Sequence, residues 1–341
     1  MRKRLFSFTM ILALAVSAIG SALAKEKVVI GELQWTGYIA IENVLKAVLV
    51  KYFDADVEIV AVEEPVLWEG LDKGSIDVYP DIWSQHVYAQ LSKYAVSGSR
   101  ETLILNDQPY MGTEGMFVPA YVQEQYGIKS ITDLTKPEIA KLFDSDGNGK
   151  GEWWAGAVGW QSTDHEQIRA KGYGYDKTME PYFVEQWAFE SKLDGAIKKK
   201  EPIVFYFWTP EWIHAAYDLR KLEEPEFTGY AMPSAKDSPL YKADGCYYAV
   251  EAAEDPQWLE HSDIHCAKPE IKVYIGHSSA LAKRAPEIAK FLKQVYVTPD
   301  LVNGWILKIS KDKMEADVVA KEWVDANAAF IEKEWLADVS Y

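Results

Sequence analysis

"VVIGELQWTGYIAIENVLKAVLVKYFDADVEIVAV", residues 28–62, decides the fold class. It opens on "VVIGEL" (28–33), a short apolar run with the β-branched content of a buried strand. "YIAIENVLKAVLVKYF" (38–53) then repeats its apolar residues three and four positions apart, which gives a helix one buried face. "VEIVAV" (57–62) returns to a strand. Pro65 suits the first turn of a second helix ending near Gly74, and "IDVYPDIW" (76–83) is a third strand. Strands alternating with helices at this spacing predict an α/β protein, its parallel sheet wrapped by right-handed crossovers.

The same reading continues outward. "GMFVPA" (115–120), "AGAVGW" (155–160), a helix over "EPYFVEQWAFESKLDGAIKKK" (180–200) and the strand "PIVFYFW" (202–208) form a second α/β set. After the strand "EIKVYIGHSSAL" (270–281) the chain is helical, and those helices are expected to return and cover the first set. The result is two α/β domains with a cleft between them. One lobe takes residues 25–115 plus 271–341, the other 116–270, with hinges near 113–116 and 268–273.

Residues 1–24 read as a cleavable export signal: "MRKR" is a basic start, "LFSFTMILALAVSAIG" an apolar run, and Ala22-Leu23-Ala24 a small-residue cleavage site. Cleavage after Ala24 leaves a periplasmic chain of about 317 residues, enough for two cores. It also takes the formal charge from −16 to −19, because Arg2, Lys3 and Arg4 go with the signal. That acidity argues against nucleic acid as a partner and favours cationic or zwitterionic ligands. Cys246 and Cys266 are the two cysteines, and in an oxidising compartment they are expected to pair.

The tryptophans fall where ligands bind. Trp35, Trp83, Trp160 and Trp208 each follow or end an expected strand, and in open α/β sheets ligands sit beyond the carboxyl ends of strands. A tryptophan chosen at random is more often core, and Trp187, Trp258, Trp305, Trp323 and Trp335 are assigned there. An indole face attracts a cation, and a quaternary ammonium suits several faces because its methyl groups cannot donate conventional hydrogen bonds. In "FYFWTPEW" (205–212), Thr209 is expected to cap the next helix, Pro210 to occupy its first position and Glu211 its first turn. Thr163 and Glu166 have capping-box spacing, so a helix should begin just after Trp160, its amides near Gln161 and Ser162 available to a carboxylate. His86, three residues past Trp83, is a further donor candidate.

"FYFWTPEW", "IDVYPDIW" with its nearby histidine, "IAKLFDSDGNGKGEWW" (139–154) and "VGW" before a helix resemble the substrate-binding proteins of osmoprotectant ABC importers, the glycine betaine and proline betaine type. The likeness runs along essentially all of residues 25–341. It implies a bilobed type II periplasmic-binding-protein fold, a monomer without cofactor that closes around a small ligand and docks on an ABC permease in the inner membrane. It also implies a cage of Trp83, Trp160 and Trp208 around a trimethylammonium group, with His86 and the amides of Gln161 and Ser162 on the carboxylate.

Other readings compete. Asp144, Asp146, Asn148 and Glu152 alternate like the start of a calcium loop, but position twelve is Ala155, so a polar Asp/Gly turn is the expectation and calcium the alternative. A binding protein for polyamines or sugars would share the fold, and polyamine sites would use carboxylates such as Glu32, Asp81 or Glu211. An exported glycan-acting enzyme is the remoter rival: no nucleophile elbow, HExxH or phosphate loop is present.

Overall fold

A computed structural model describes residues 25–341. The export signal expected over residues 1–24 lies outside the described residues. Strand β1 (Lys27–Glu32), helix α1 (Thr36–Phe53), strand β2 (Asp56–Ala61), helix α2 (Glu64–Lys73) and strand β3 (Val78–Trp83) follow the expected alternation, and β1 pairs in parallel with both β2 and β3. Helix α1 buries Ile41, Val44, Leu45, Val48 and Leu49 along one side. At about 1.5–3 kcal/mol per buried aliphatic side chain, that face outweighs any capping contribution, and the helix has no side-chain cap at Trp35.

The sheet continues through β4 (Leu103–Leu105), β5 (Tyr110–Pro119), β6 (Gly151–Trp154), β7 (Met179–Tyr182), β8 (Phe205–Thr209), β9 (Leu219–Lys221) and β10 (Ile271–Ser278). Its order is β2-β1-β3-β10-β5-β8-β6-β7, with β4 against β10 and β9 against β5. Strand β5 changes partner along its length. Tyr110, Met111 and Gly112 pair with β10, whereas Thr113 to Phe117 pair with β8. One strand thereby ties the parallel N-terminal set to the β8-β6-β7 set.

Helix α3 (Gln161–Tyr173) and helix α4 (Gln186–Lys199) belong to the second set. The C-terminal helices Pro286–Gln294, Pro299–Ile306 and Ala316–Ala326 return to α1: Val302, Trp305, Val319 and Val324 share a core with Val44 and Val48, and Lys51 bonds Asp325 at 2.9 Å. Cys246 and Cys266 form a disulfide, buried against Ile168, Tyr230 and Tyr247. Among the described residues no helix is long and apolar enough to cross a membrane.

Several local expectations fail for identifiable reasons. "AGAVGW" is not a strand: β6 ends at Trp154, and Gly156 and Gly159 turn the chain with φ of +116° and +87°. Residues 180–182 of the expected long helix pair with β6 instead, the helix starts at Gln186, and Trp187 on it, assigned to the core, is exposed. Thr209 does not cap a helix. It ends β8, its hydroxyl 2.7 Å from that of Thr113 across the ladder, and the peptide to Pro210 is cis. Glu211 lies outside the short helix Ile213–Ala216, buried and accepting from Gln186. The capping box at α3 is absent, because the Thr163 hydroxyl bonds the Ala157 carbonyl and Glu166 pairs with Arg169 and Lys268. In the loop of the calcium alternative, Asp144 accepts from the Gly147 and Gly149 amides, Asn148 bonds Asp146 and Glu180, and Glu152 accepts from Ser145. Those bonds hold the polar Asp/Gly turn.

Candidate functional site

Alternation along β3 and β8 builds the cavity. Tyr79, Asp81 and Trp83 are two residues apart on β3, as Tyr206 and Trp208 are on β8, so each set shares one face of its strand. Trp35 stands at the end of the β1–α1 turn, and Trp160 is the last residue before α3. These side chains, with Glu64, His86, Val87, Glu114, Gln161 and Ser162, line one cavity of about 430 Å³ including the space open toward solvent. All seven residues singled out from the sequence therefore border the same space. Trp160 reaches it from a helix start and not from a strand end.

The indoles form a corner-jointed wall. The Trp35 and Trp160 rings are 5.7 Å apart at 78°, and Trp160 and Trp208 are 5.6 Å apart at 76°. Trp208 is fixed from behind by Phe207, stacked 4.4 Å away. Trp83 is fixed by β5: a Cβ placed on Gly112 would come within 2.5 Å of its ring, so only glycine admits the indole there. Asp81 aligns the other edge. Its Oδ2 accepts from the Trp35 Nε1–H at 2.7 Å and the Trp83 Nε1–H at 3.1 Å, while Oδ1 accepts from the Tyr110 hydroxyl at 2.7 Å. Burial pushes the Asp81 carboxyl up to about 6 even against those donors.

The far end is polar and mostly acidic. Glu64, in the first turn of α2, accepts from the Tyr79 hydroxyl at 2.9 Å. Burial raises its carboxyl to about 7, opposed by hydrogen bonds that include the Gln161 backbone N–H. The Gln161 side chain donates to Glu251 at 2.7 Å. His86 is buried with both ring nitrogens near protein groups: Nε2 is 2.8 Å from Glu114 and Nδ1 is 3.1 Å from His165. Burial pushes the imidazole below its usual value, against the opposing pull of Glu114.

Behind His86 runs a charged chain. Glu114 receives Lys268 at 2.6 Å, Lys268 also reaches Glu166 at 2.8 Å, and Arg169 joins Glu166 to Glu224. Burial alone would raise the Glu114 carboxyl, but His86 and Lys268 overcome it and hold it below the usual range. Sequence reasoning missed Glu64, Tyr79, Glu114 and Tyr206 as cavity residues and weighed Asp81 solely as an ammonium acceptor. The period-two pattern of "VYPDIW" would have placed Tyr79 and Asp81 beside Trp83. Glu114 carries no local signal, since its partners come from residues 86 and 268.

A family model described as the substrate-binding domain of ABC-type glycine betaine transport systems matches residues 26–326. A glycine betaine/proline betaine-binding periplasmic protein of Salmonella typhimurium is 30% identical over 100 residues, which span 29% of this chain and 30% of that relative's length. Among solved structures, the glycine betaine/L-proline-binding protein ProX of Borrelia burgdorferi superposes with a TM-score of 0.69 at 20% identity, covering 91% of this chain and 96% of that one. An ABC-transporter choline-binding protein in complex with choline gives a TM-score of 0.68 at 17% identity, over 92% of each chain. These likenesses establish the type II binding-protein fold.

Proposed function

The chain belongs to the family of substrate-binding domains of ABC-type glycine betaine transport systems, a family of binding domains and not of enzymes, and from that premise we propose that it captures a small methylated ammonium solute in the tryptophan-lined cavity. Glycine betaine, proline betaine and choline are the compounds in view. Trp83, Trp160 and Trp208 form the cage, Trp35 closes its fourth side, and the Gln161 and Ser162 amides with His86 face the ligand's other end. After removal of residues 1–24 the protein works in the periplasm, its lobes 25–115 plus 271–341 and 116–270 closing on the ligand before it docks on an inner-membrane permease.

One observation carries this reading: four indoles from different elements border one cavity, with a buried carboxylate aligning two of them. Desolvated cation–π contacts are worth about 2 kcal/mol each, so three supply most of the ~8 kcal/mol that micromolar binding requires. A polyamine fits less well. Its primary ammonium groups need acceptors at both ends, and at the indole end Asp81 already serves two indoles and Tyr110. Isothermal titration with methylated ammonium compounds, polyamines and sugars tests the assignment. Saturable binding of the first class alone is the expected result, and selective binding of spermidine or a sugar refutes it.

A further inference from the structure

The cage reads only the methylated head, which choline and glycine betaine share, so the choice between them rests with the opposite end of the cavity. We propose that Glu64 makes that choice, and that the site prefers a choline-type cation, whose hydroxyl donates to Glu64, over a zwitterion ending in a carboxylate. This inference rests on the methylated-ammonium reading above and deepens it.

The position usually favourable to an anion, the N-terminus of α3, is already faced by an acid of the protein itself. Glu64 borders the cavity together with Gln161 and Ser162, and the Gln161 amide acts on its carboxyl. Glu64 has little room to withdraw. Its Oε1 is bonded to Tyr79, and the residue is 7% exposed. A ligand carboxylate at α3 would therefore lie against Glu64.

Bound there, that carboxylate must either face the ionised Glu64 carboxylate or keep Glu64 protonated, and His86 with the α3 amides are the donors left to offset the ionised form. Among the described residues, no lysine or arginine lines the cavity. Of the cations behind the Glu114 wall, Lys268 and Arg169 are engaged by Glu114, Glu166 and Glu224, and Lys221 donates to the Glu114 carbonyl. The titratable groups that face Glu64 or line the cavity with it are Tyr38 from α1, Tyr79 and Asp81 from β3, His86 just after β3, Glu114 from β5, Asp164 from α3, Tyr206 from β8 and Glu251 from the loop beyond Tyr248, and His86 is the one base among them. A net-positive ligand relieves this excess of acid, whereas a zwitterion brings a further negative group to it.

The two ligand types predict proton linkage of opposite sign. With the cavity empty, Glu64 holds its proton up to about pH 7. A choline-type cation favours the ionised carboxylate and expels the proton; a betaine carboxylate favours the protonated acid and draws one in.

The experiment titrates residues 25–341 calorimetrically with choline and with glycine betaine near pH 7, in two buffers of different ionisation enthalpy, for the wild type and Glu64→Gln. We expect choline to bind at least about tenfold tighter with proton release, and Glu64→Gln to cut that preference about tenfold and remove most of the release. Tighter betaine binding with proton uptake overturns the inference, as does a preference and proton release unchanged in Glu64→Gln. The wild-type proton count needs no variant, so misfolding of Glu64→Gln cannot hide the answer. If betaine binds and choline does not, the role of Glu64 fails while the cage survives; if neither binds, both fall together.

Discussion

Asp81 and Glu114 are buried carboxylates on the walls of one cavity, 1% and 2% exposed, yet their acidities move in opposite directions. Asp81 has neutral donors only, two indole N–H groups and a phenol, and burial wins. Glu114 has the Lys268 ammonium at 2.6 Å, and charge wins. A buried carboxylate without a cation is an electrostatic debt that a ligand can settle. One whose counter-charge is internal serves as scaffold. On the proposed reading, the contrast separates the part of the site that takes a cation from the part that holds the walls in place.

Removing the internal counter-charge tests the scaffold half and should have the largest effect. Lys268→Met leaves Glu114 and Glu166 facing each other with no ammonium between them, and urea unfolding should show a loss of about 3–5 kcal/mol. A loss below about 1 kcal/mol would mean the chain of charges is not a structural unit.

The ligand half is broken by Trp208→Ala. Well over tenfold weaker binding of the preferred methylated ammonium compound is expected by calorimetry, since one desolvated cation–π face is worth about 2 kcal/mol. An unchanged dissociation constant removes Trp208 from the cage. Asp81→Asn sharpens the same side. It keeps an acceptor for the indoles but deletes the charge, so cation affinity should fall about tenfold while the ligand-free protein melts no lower at pH 8.

Smaller, but specific to the comparison, is the pH dependence of ligand-free stability. Asp81 and Glu64 titrate at about 6 and about 7 in the fold, against ordinary values of 3.8 and 4.5. Between those limits the native state binds more protons than the unfolded chain, so each group's contribution is full below pH ~4 and is lost as pH rises through 6 to 7, up to about 3 kcal/mol apiece. Glu114 works the other way, stabilising the protein only where its unfolded form is ionised. Melting temperature should therefore decline from about pH 5.5 to 8 without ligand, and the increment given by a bound cation should grow over the same range. A flat profile for the ligand-free protein would deny that Asp81 and Glu64 stand without counter-charge.

The N-terminal β-α-β-α-β run was legible in the sequence because each element signals itself locally, by period and by length. The C-terminal helices were legible for the same reason. Boundaries in the second half were not: "AGAVGW" is as apolar as a strand, but its glycines sit at positive φ and make it a turn. Thr209 looked like a cap until β5 supplied Thr113 as its partner. In both places a contact distant in sequence overrode the local preference.

The sequence by itself determined the alternation of elements, the identity of the indoles and, through their positions near strand ends, the kind of chemistry the cavity can perform. Tertiary structure alone decided how that cavity is charged. Whether a carboxylate is neutralised depends on which side chain stands within about 3 Å of it, and for Glu114 that is Lys268, 154 residues away. For Asp81 the neighbours are Trp35, Trp83 and Tyr110, none of them a cation. Separations of that kind leave no periodic trace in the chain, because only folding brings such partners together.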